Sequence, residues 1–342
     1  MRKNRVFLSG CILFSLLVIL SAVGIGSVSV SLRETIQIIV SRLSGISVDI
    51  DIPAYRIAII ADLRLPRVLL AFIAGAALSV SGAVMQSVLK NPLASSFTLG
   101  VSSGASLGAG TVILFGLTGA VHGLVTVPVA GFAASILTMI FLLRFSRSID
   151  PSLGNNTIIL SGMVLSLFLN AVLTLFSVLS ADGLKNILSW QLGSLALRGT
   201  APVIILFPVT VSGTLLVFSY RRELDILTFG SDDAASLGVP VRKTKNILIL
   251  LASILTGCTV AFTGVIGFVD LAIPHIVRRI LGPSHRTLIP FSFLLGGSFM
   301  VLADLLCRTV YPPAELPIGA VTALLGAPVF AHIYLSSRRV NT

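Results

Sequence analysis

Charged residues are scarce in this sequence: Asp, Glu, Lys and Arg make up only 11% of its 342 residues, whereas 55% are hydrophobic. Soluble domains carry about 25% charged residues, so this composition excludes an ordinary soluble protein. Together with a mean hydropathy of +1.03, it predicts an all-α membrane protein that crosses the bilayer many times.

Acidic residues are the scarcer of the two charge signs, with 13 Asp and Glu against 24 Lys and Arg. A net charge of +11 would also suit a nucleic-acid-binding protein. In a membrane protein, however, basic loops that face an anionic cytoplasmic leaflet explain it better. We therefore expect membrane lipid, and no nucleic acid, around these residues.

Cysteines and catalytic motifs are also lacking. The three cysteines, Cys11, Cys258 and Cys307, lie inside apolar segments without a C-x-x-C pair, which excludes a disulfide framework or a zinc-finger spacing. The sequence has no G-x-x-x-x-G-K-[ST] nucleotide loop and no H-E-x-x-H. We expect no cofactor, no resident metal and no catalytic residue, so the chain itself should not be an enzyme.

Apolar segments of about 20 residues, the length that crosses a bilayer, dominate what is present. Nine are clear: 6–28, 66–88, 96–116, 121–143, 156–180, 201–220, 246–266, 287–307 and 316–335. The first resembles a signal peptide, but it is longer than a usual one and lacks a clear cleavage site. We interpret it as a retained span.

Both ends of the chain are basic, with three Lys or Arg residues among the first five and Arg338 and Arg339 near the end. The positive-inside rule then places both termini in the cytoplasm and requires an even number of crossings. We predict the tenth span at 268–280. This segment is too short to cross the hydrocarbon alone, so it should be buried among other helices.

A weak internal repeat fits this ten-span topology. Gly and Pro residues recur with the same spacing in two parts of the chain: Gly75, Gly82 and Pro92 in the first, and Gly257, Gly264 and Pro274 in the second. The two copies would cross the membrane in opposite directions. This predicts an inverted repeat relating spans 2–5 to spans 7–10, a common construction of transport proteins.

The stretch 64–110 joins two apolar segments through a polar break at 90–93. Its second segment carries Gly100, Gly104 and Gly108 four residues apart, a spacing that lets membrane helices pack backbone against backbone. A polar hinge between two such helices indicates a moving or substrate-lining part.

Two loops carry more than a linker needs. The longest cytoplasmic one, 221–245, combines a helix-capping SDDAASLG turn with four apolar residues, so we prefer a docking surface for a cytoplasmic partner over a solvated linker. These residues are Ile226, Leu227, Phe229 and Leu237. On the outer side, 181–199 is predicted to form an interfacial helix with Trp190 at the headgroup level.

Charged residues near the membrane allow two interpretations. Arg64, Arg67 and Arg308 lie at span ends on the predicted outer side, where they could reach lipid headgroups or receive acidic residues of an extracytoplasmic partner. Asp304 precedes Arg308 by one helical turn, so an ion pair explains it most simply. Asp270 has no obvious partner, and it is the one candidate for ion coupling.

Several long motifs resemble one known family. The permease subunits of bacterial ABC importers for iron–siderophores, haem and vitamin B12 are similar to this chain in RLPRVLLAFIAGAALSVSGAVMQSVLKNPLASSFTLGVSSGA, WQLGSLA, SLGV, GFVDLAIPHIVRRILGPSHRTLIP, LADLLCR and AELPIGAVTALLGAPVF. The resemblance extends over about residues 60 to 337. It implies a single permease domain over 1–342 in the bacterial cytoplasmic (inner) membrane. It also implies a second permease subunit, two cytoplasmic ATP-binding subunits and an extracytoplasmic substrate-binding protein as partners.

The resemblance further implies roles for particular residues. The family's docking arginines fall on Arg64, Arg67 and Arg308, and its coupling helices fall on about 221–242. The residues expected to couple to the ATPase are Asp233, Ala234, Ser236, Leu237 and Gly238. The inner gate falls on Asn91 and Leu93, and a second gate falls on Asn155 and Asn156.

We expect transport by alternating access along a central path lined by the second and fifth spans. Small, weakly polar residues suit a path for bulky ligands, and the candidates are Ser79, Ser81, Gly82 and Gln86. An iron–siderophore chelate is the expected cargo, with haem or vitamin B12 as alternatives. An ion-coupled secondary transporter is the alternative from another class. The pattern leaves open whether the permease pair is a homodimer or a heterodimer.

Overall fold

A computed structural model describes residues 2–26, 28, 30–44, 52–116, 123–178, 181–196 and 198–339. Across these residues every regular element is a helix. The helices are α1 (Arg2–Gly24), α2 (Leu32–Ser44), α3 (Ala54–Ala58), α4 (Leu65–Val88), α5 (Val101–Leu114), α6 (Gly123–Ile149), α7 (Asn155–Val178), α8 (Ala181–Gln191), α9 (Ala201–Ser219), α10 (Arg221–Leu227), α11 (Ser231–Ser236), α12 (Val241–Thr263), α13 (Val269–Leu281), α14 (His285–Thr309) and α15 (Ile318–Arg339). A π-helical turn, Ile59–Arg64, joins α3 to α4.

Within the described residues, seven helices are long and apolar enough to cross a membrane. They are Val6–Gly24, Ala54–Val88, Val125–Ile149, Asn155–Val178, Ala201–Ser219, Val241–Thr263 and His285–Thr309. The apolar segments Val101–Leu114 and Ile318–Ala331 are shorter, and α13 has only 13 residues. The predicted polytopic, all-helical membrane protein is therefore confirmed. Ten crossings and two cytoplasmic termini remain predictions.

α5 begins at Val101, later than the predicted third span. Before it, the Ser95 N–H bonds to Thr98 Oγ1 at 3.1 Å and the Thr98 N–H bonds to Ser95 Oγ at 3.2 Å. Such side-chain-to-backbone bonds compete with helix formation. Gly100 then adopts a left-handed φ of 87° just ahead of the helix. The polar break is consequently longer, and α5 shorter, than the sequence predicted.

α4 is the central helix of the chain: 89% of the residues in its most apolar stretch are buried. It packs against α14, α12, α13 and α9. A Cβ added to Gly75 would lie 2.2 Å from the carbonyl oxygen of Gly296, and one added to Gly82 would lie 1.8 Å from that of Asp270. Glycine is thus required where α4 approaches α14 and α13.

The glycines of α5 set a second close approach. A Cβ on Gly104 would lie 2.2 Å from Thr138 Oγ1, and one on Gly108 would lie 2.4 Å from the carbonyl oxygen of Ala130. Thr138 and Ala130 both belong to α6. The four-residue glycine spacing therefore packs α5 against α6, as the sequence predicted.

The order of helix lengths repeats along the chain. α4 to α7 are long, short, long and long, and α12 to α15 follow the same order. The residues that suggested the repeat nevertheless occupy different positions, because Gly82 is inside α4 whereas Gly264 ends α12. Pro92 lies in a loop, and Pro274 lies inside α13. The repeat is therefore supported by helix order, not by that sequence register.

Candidate functional site

A buried ion cluster joins α4 to α14 at the end of the fold that was predicted to face outward. Arg67 Nε lies 2.9 Å from Asp304 Oδ1 and its Nη1 lies 2.7 Å from Glu315 Oε1. Arg308 Nε lies 3.5 Å from Asp304 Oδ2, which confirms the predicted pair one helical turn apart. Only 1% of the Asp304 side chain is exposed. Two arginines therefore compensate one buried carboxylate.

The same end of the fold holds Arg64 against α1. Its guanidinium donates to the carbonyl oxygens of Gly24 at 2.9 Å and Val28 at 2.6 Å. Arg308 Nη1 donates to the carbonyl oxygen of Ile25 at 2.9 Å. The last carbonyls of a helix have no partner within the helix, and these two arginines supply donors for that region.

The three arginines predicted to dock a binding protein thus lie together, but their guanidiniums are largely covered by groups of the same chain. The exposed fraction is 14% for the Arg67 side chain and 8% for that of Arg308. Glu315, the remaining member of the cluster, is 43% exposed. An incoming acidic group could therefore reach Arg67 only by displacing Glu315, and the docking role remains a prediction.

The four residues proposed to line the path from α4 are all buried within the chain. Ser81 Oγ lies 2.7 Å from Thr256 Oγ1 and donates to the carbonyl oxygen of Ala252. Gln86 Nε2 donates to the carbonyl oxygen of Asp270 at 3.1 Å. Ser79 Oγ is buried without a hydrogen-bond partner among the described residues. These contacts, with the Gly82 approach, hold α4 against α12 and α13, and a role in a path remains untested.

The predicted gate residues lie at two helix ends. Asn91 Oδ1 accepts the Leu93 N–H at 2.9 Å in the loop after α4, and Leu93 itself is exposed. At the start of α7, Asn155 Oδ1 accepts a hydrogen bond from Lys245 Nζ at 2.8 Å, while Asn156 is exposed. Among the described residues no hydrogen bond links the two pairs, so a shared gate is still a prediction.

An acidic side chain organises the entry into α7. Asp150 accepts the backbone N–H of Gly154 at 2.8 Å and that of Ser152 at 2.9 Å. Hydrogen bonds from the Ser152 hydroxyl and these N–H groups hold the pKa of Asp150 below its usual value, since they favour the charged carboxylate. The second gate pair therefore sits on an ordered turn.

The loop 221–245 is folded onto the body of the chain. Leu224 and Leu227 of α10 and Ala234 of α11 are buried. Lys90 Nζ donates to the carbonyl oxygen of Phe229 at 3.1 Å. Phe229 is nevertheless 72% exposed and Leu237 66% exposed. Of the predicted coupling residues, only Ala234 is buried; the exposed ones are Asp233, Ser236, Leu237 and Gly238. The loop presents an anchored surface with an apolar pair on it.

A network of hydrogen-bonded polar side chains, which the sequence did not predict, connects this loop to α4. Asp225 Oδ1 accepts the backbone N–H of His285 at 2.8 Å and lies 2.6 Å from its Nδ1. His285 Nε2 lies 2.7 Å from Ser87 Oγ, and Arg278 Nη2 donates to the same hydroxyl at 2.9 Å. Arg278 also bonds Gln86. The members come from α10, α14, α4 and α13. Because α4, α10 and the α13–α14 pair are far apart in the sequence, no local sequence pattern could reveal the network.

Two further residues that the sequence singled out, Trp190 and Asp270, are both buried. Trp190 is buried in a small cluster with Ala105, Ala109 and Val260 rather than displayed on α8. Asp270 is 1% exposed, and neither of its carboxylate oxygens has a hydrogen-bond partner among the described residues. Over the same part of the chain no group of three or more His, Cys, Asp or Glu side chains could hold a metal ion.

A comparison with protein families matches residues 13–337 to the FecCD transport family. The chain is 45% identical over 341 residues to an uncharacterized ABC transporter permease protein of Bacillus subtilis, YvrB, with 99% of this chain and 96% of that protein covered. It is 37% identical over 292 residues to the cobalamin import system permease protein BtuC of Halobacterium salinarum, with 85% and 76% covered.

A solved structure is also similar to this chain. A metal-chelate type ABC transporter in an inward-facing conformation resembles the present fold with a TM-score of 0.84 at 30% sequence identity. The match covers 96% of this chain and 99% of the other. The similarity therefore extends over nearly the whole of this chain.

Proposed function

This chain belongs to the FecCD transport family, and we propose that it is the membrane-spanning permease subunit of an ATP-driven importer for an iron–siderophore-type chelate. The observation that carries this proposal is the structure of loop 221–245. Leu224 and Leu227 are buried and fix the loop to the rest of the chain, whereas Phe229 and Leu237 are exposed on its surface. Contiguous exposed apolar patches mark protein interaction sites, and we infer that Phe229 and Leu237 belong to one such patch. A separate ATP-binding subunit is the partner that such an importer needs there.

The proposed membrane arrangement has ten spans, both termini in the cytoplasm and an inverted repeat. The repeated order of one long, one short and two long helices supports it. The short members, α5 and α13, are largely covered by other helices: among the buried residues of α13 are Val269, Asp270 and Val277. A short helix shielded in this way need not span the hydrocarbon by itself.

In the proposed assembly, two permease subunits share a central path in the bacterial cytoplasmic (inner) membrane. The cytoplasmic loops of the pair hold two ATP-binding subunits, and a substrate-binding protein docks near Arg67 on the other side. ATP binding draws the ATP-binding subunits together, and the force reaches the spans through loop 221–245. The cargo then passes between alternately open ends.

Haem and vitamin B12 are the alternative cargoes, and the cobalamin relative keeps the second of these open. A different class, an ion-coupled secondary transporter, would need an intramembrane ionisable group, for which Asp270 is the candidate. Uptake that continues without ATP but collapses when an ionophore dissipates the ion gradient would favour that class over the importer.

The central test combines Phe229→Asp with Leu237→Asp. In the purified permease mixed with its ATP-binding subunit, we expect co-purification to fall by at least about tenfold, because an interface anchor contributes about 1–2 kcal/mol or more. Thr228→Asp combined with Ser231→Asp is the matched control, since it places the same two charges at exposed positions of the same loop. Unchanged co-purification and unchanged ATP-dependent uptake in the double variant would contradict the proposal.

A further inference from the structure

A cavity of about 970 Å³ opens between α6, α8, α9 and α12. Its walls are mainly apolar and include Phe132, Ile205, Val209, Ile254 and Phe262. This volume is at the upper end of the range of ligand pockets in proteins. None of the residues discussed for docking, gating or coupling lines it.

Two nitrogen donors, on Trp190 and Arg198, line the cavity beside the polar side chains of Asn186 and Ser189. The indole N–H of Trp190 is buried and has no hydrogen-bond partner among the described residues. Arg198 makes one bond there, from its Nε to the carbonyl oxygen of Ser194 at 3.3 Å. Among the described residues, no Asp or Glu lines the cavity. Burial without a nearby anion lowers the pKa of Arg198. An anionic group could accept hydrogen bonds from both the Trp190 indole and the Arg198 guanidinium.

Part of the apolar wall of the cavity also lies on the outer surface of the chain. Val125, Val129 and Ile205 line the cavity and are also exposed on the surface of the chain. They belong to α6 and α9, both of which are long and apolar enough to cross a membrane. An apolar opening on the side of such helices faces lipid chains, whereas a peptide or a polar chelate would have to enter through hydrocarbon.

We propose that this cavity binds an anionic phospholipid, with an acyl chain along the apolar wall and the phosphate at Arg198 and Trp190. Arginine and an indole N–H are suitable donors for phosphate oxygens. Ser194, which lines the cavity, also lines a second pocket together with Glu315, the partner of Arg67. The site is therefore on the Arg67 side of the fold, and in the proposed topology the lipid belongs to the outer leaflet. Lipid binding here does not depend on which cargo the transporter carries.

The chain reports on this site through its only tryptophan, which is Trp190. The purified protein is reconstituted into phosphatidylcholine bilayers that contain either brominated phosphatidylglycerol or brominated phosphatidylcholine with the same acyl chains. Bromine quenches indole fluorescence on close contact. We expect the anionic lipid to quench Trp190 at concentrations about fivefold lower, the preference that one basic residue gives near a membrane surface.

Two variants separate the headgroup from the cavity. Arg198→Gln should abolish the fivefold preference, whereas Lys185→Gln, which removes an equal charge from the neighbouring helix α8, should preserve it. Val209→Phe fills the apolar wall and should reduce quenching by both lipids, even if Arg198→Gln perturbs the loop. Equal quenching by the two lipids in the parent protein, or a preference that survives Arg198→Gln, would overturn the proposal. So would quenching that Val209→Phe leaves unchanged.

Discussion

α4 and α7, the two helices predicted to line the transport path, differ sharply in their surroundings. In α4, 89% of the residues of the most apolar stretch are buried within the chain, whereas in α7 only 22% are. α4 carries glycines and serines where neighbouring backbones approach it. α7 instead exposes a face of large apolar residues, which includes Leu160, Met163, Val164, Leu167, Phe168 and Leu175.

The difference shows that small, weakly polar residues in a membrane helix have two possible uses. A path for bulky ligands would expose them, but close helix packing buries them, and in α4 they are buried. The exposed apolar face of α7 is left for lipid, for a second permease or for the path. α4 is therefore the central packing helix of the chain. α7 has an exposed apolar face that is available for contact with another subunit.

The largest effect on the packing of α4 should come from Asp304→Asn. It removes the carboxylate that compensates Arg67 and Arg308 and leaves two buried cations, at a cost of about 3–5 kcal/mol in the free energy of unfolding. Unfolding of the detergent-solubilised chain, followed by circular dichroism in increasing SDS, measures the change.

Glu315→Gln is the matched control for this cluster, because Glu315 also pairs with Arg67 but is 43% exposed. Its loss should cost less than about 1 kcal/mol. The same variant frees Arg67, so if acidic groups of a binding protein dock there, affinity for that protein should rise. Equal destabilisation by the two substitutions would show that the buried carboxylate is not the anchor of α4.

Gly82→Ala should have the next largest effect. A methyl group at this position would lie 1.8 Å from the carbonyl oxygen of Asp270, and both partners are backbone, so α4 and α13 must separate. We expect destabilisation of about 3 kcal/mol, the upper end for overpacking, in the same SDS titration. Gly10→Ala in α1 meets nothing within 4 Å and should stabilise the chain slightly. An unaltered midpoint for Gly82→Ala would mean that α13 is not seated on α4.

Asp225→Asn should have a smaller effect on stability but a clear effect on function. The Asp225 side chain is 39% exposed, so loss of its charged hydrogen bonds to His285 should cost only about 1 kcal/mol. The same bond links loop 221–245, the proposed coupling loop, to α14 and, through His285 and Ser87, to α4. We expect ATP hydrolysis to continue while uptake falls severalfold.

The control for this uncoupling is Asp232→Asn, which neutralises an exposed carboxylate on the same loop. Both variants are assayed for ATPase activity and for chelate uptake in proteoliposomes. Equal uptake by the two variants would mean that the Asp225–His285 bond carries no coupling.

Sequence reasoning predicted the helical fold and the packing role of the α5 glycines, because hydropathy and glycine spacing are local patterns. It also predicted the Asp304–Arg308 pair, whose members lie on one helix face. It did not predict that Arg67 shares Asp304, that Gln86 faces α13, or that Asp225 meets His285. Those contacts join residues far apart along the chain, and which face of α4 meets which helix depends on how all the helices pack together.

The smallest expected effect on stability, and the sharpest contrast with α4, belongs to Leu167→Cys on α7. Leu167 is 71% exposed, so the substitution should change the free energy of unfolding by less than about 0.5 kcal/mol.

The same variant tests assembly by cross-linking. The native cysteines are all buried, which keeps background reactivity low. In a transporter assembled from two copies of the Leu167→Cys chain, an added oxidant should join the two introduced thiols, one on each α7, in a disulfide that is detected as a dimer-sized band on a non-reducing gel. Leu215→Cys on α9 is the control, since it is comparably exposed but is expected to face lipid. If Leu215→Cys cross-links as readily as Leu167→Cys, α7 is not the assembly face, and the exposed leucines of both helices simply face the bilayer.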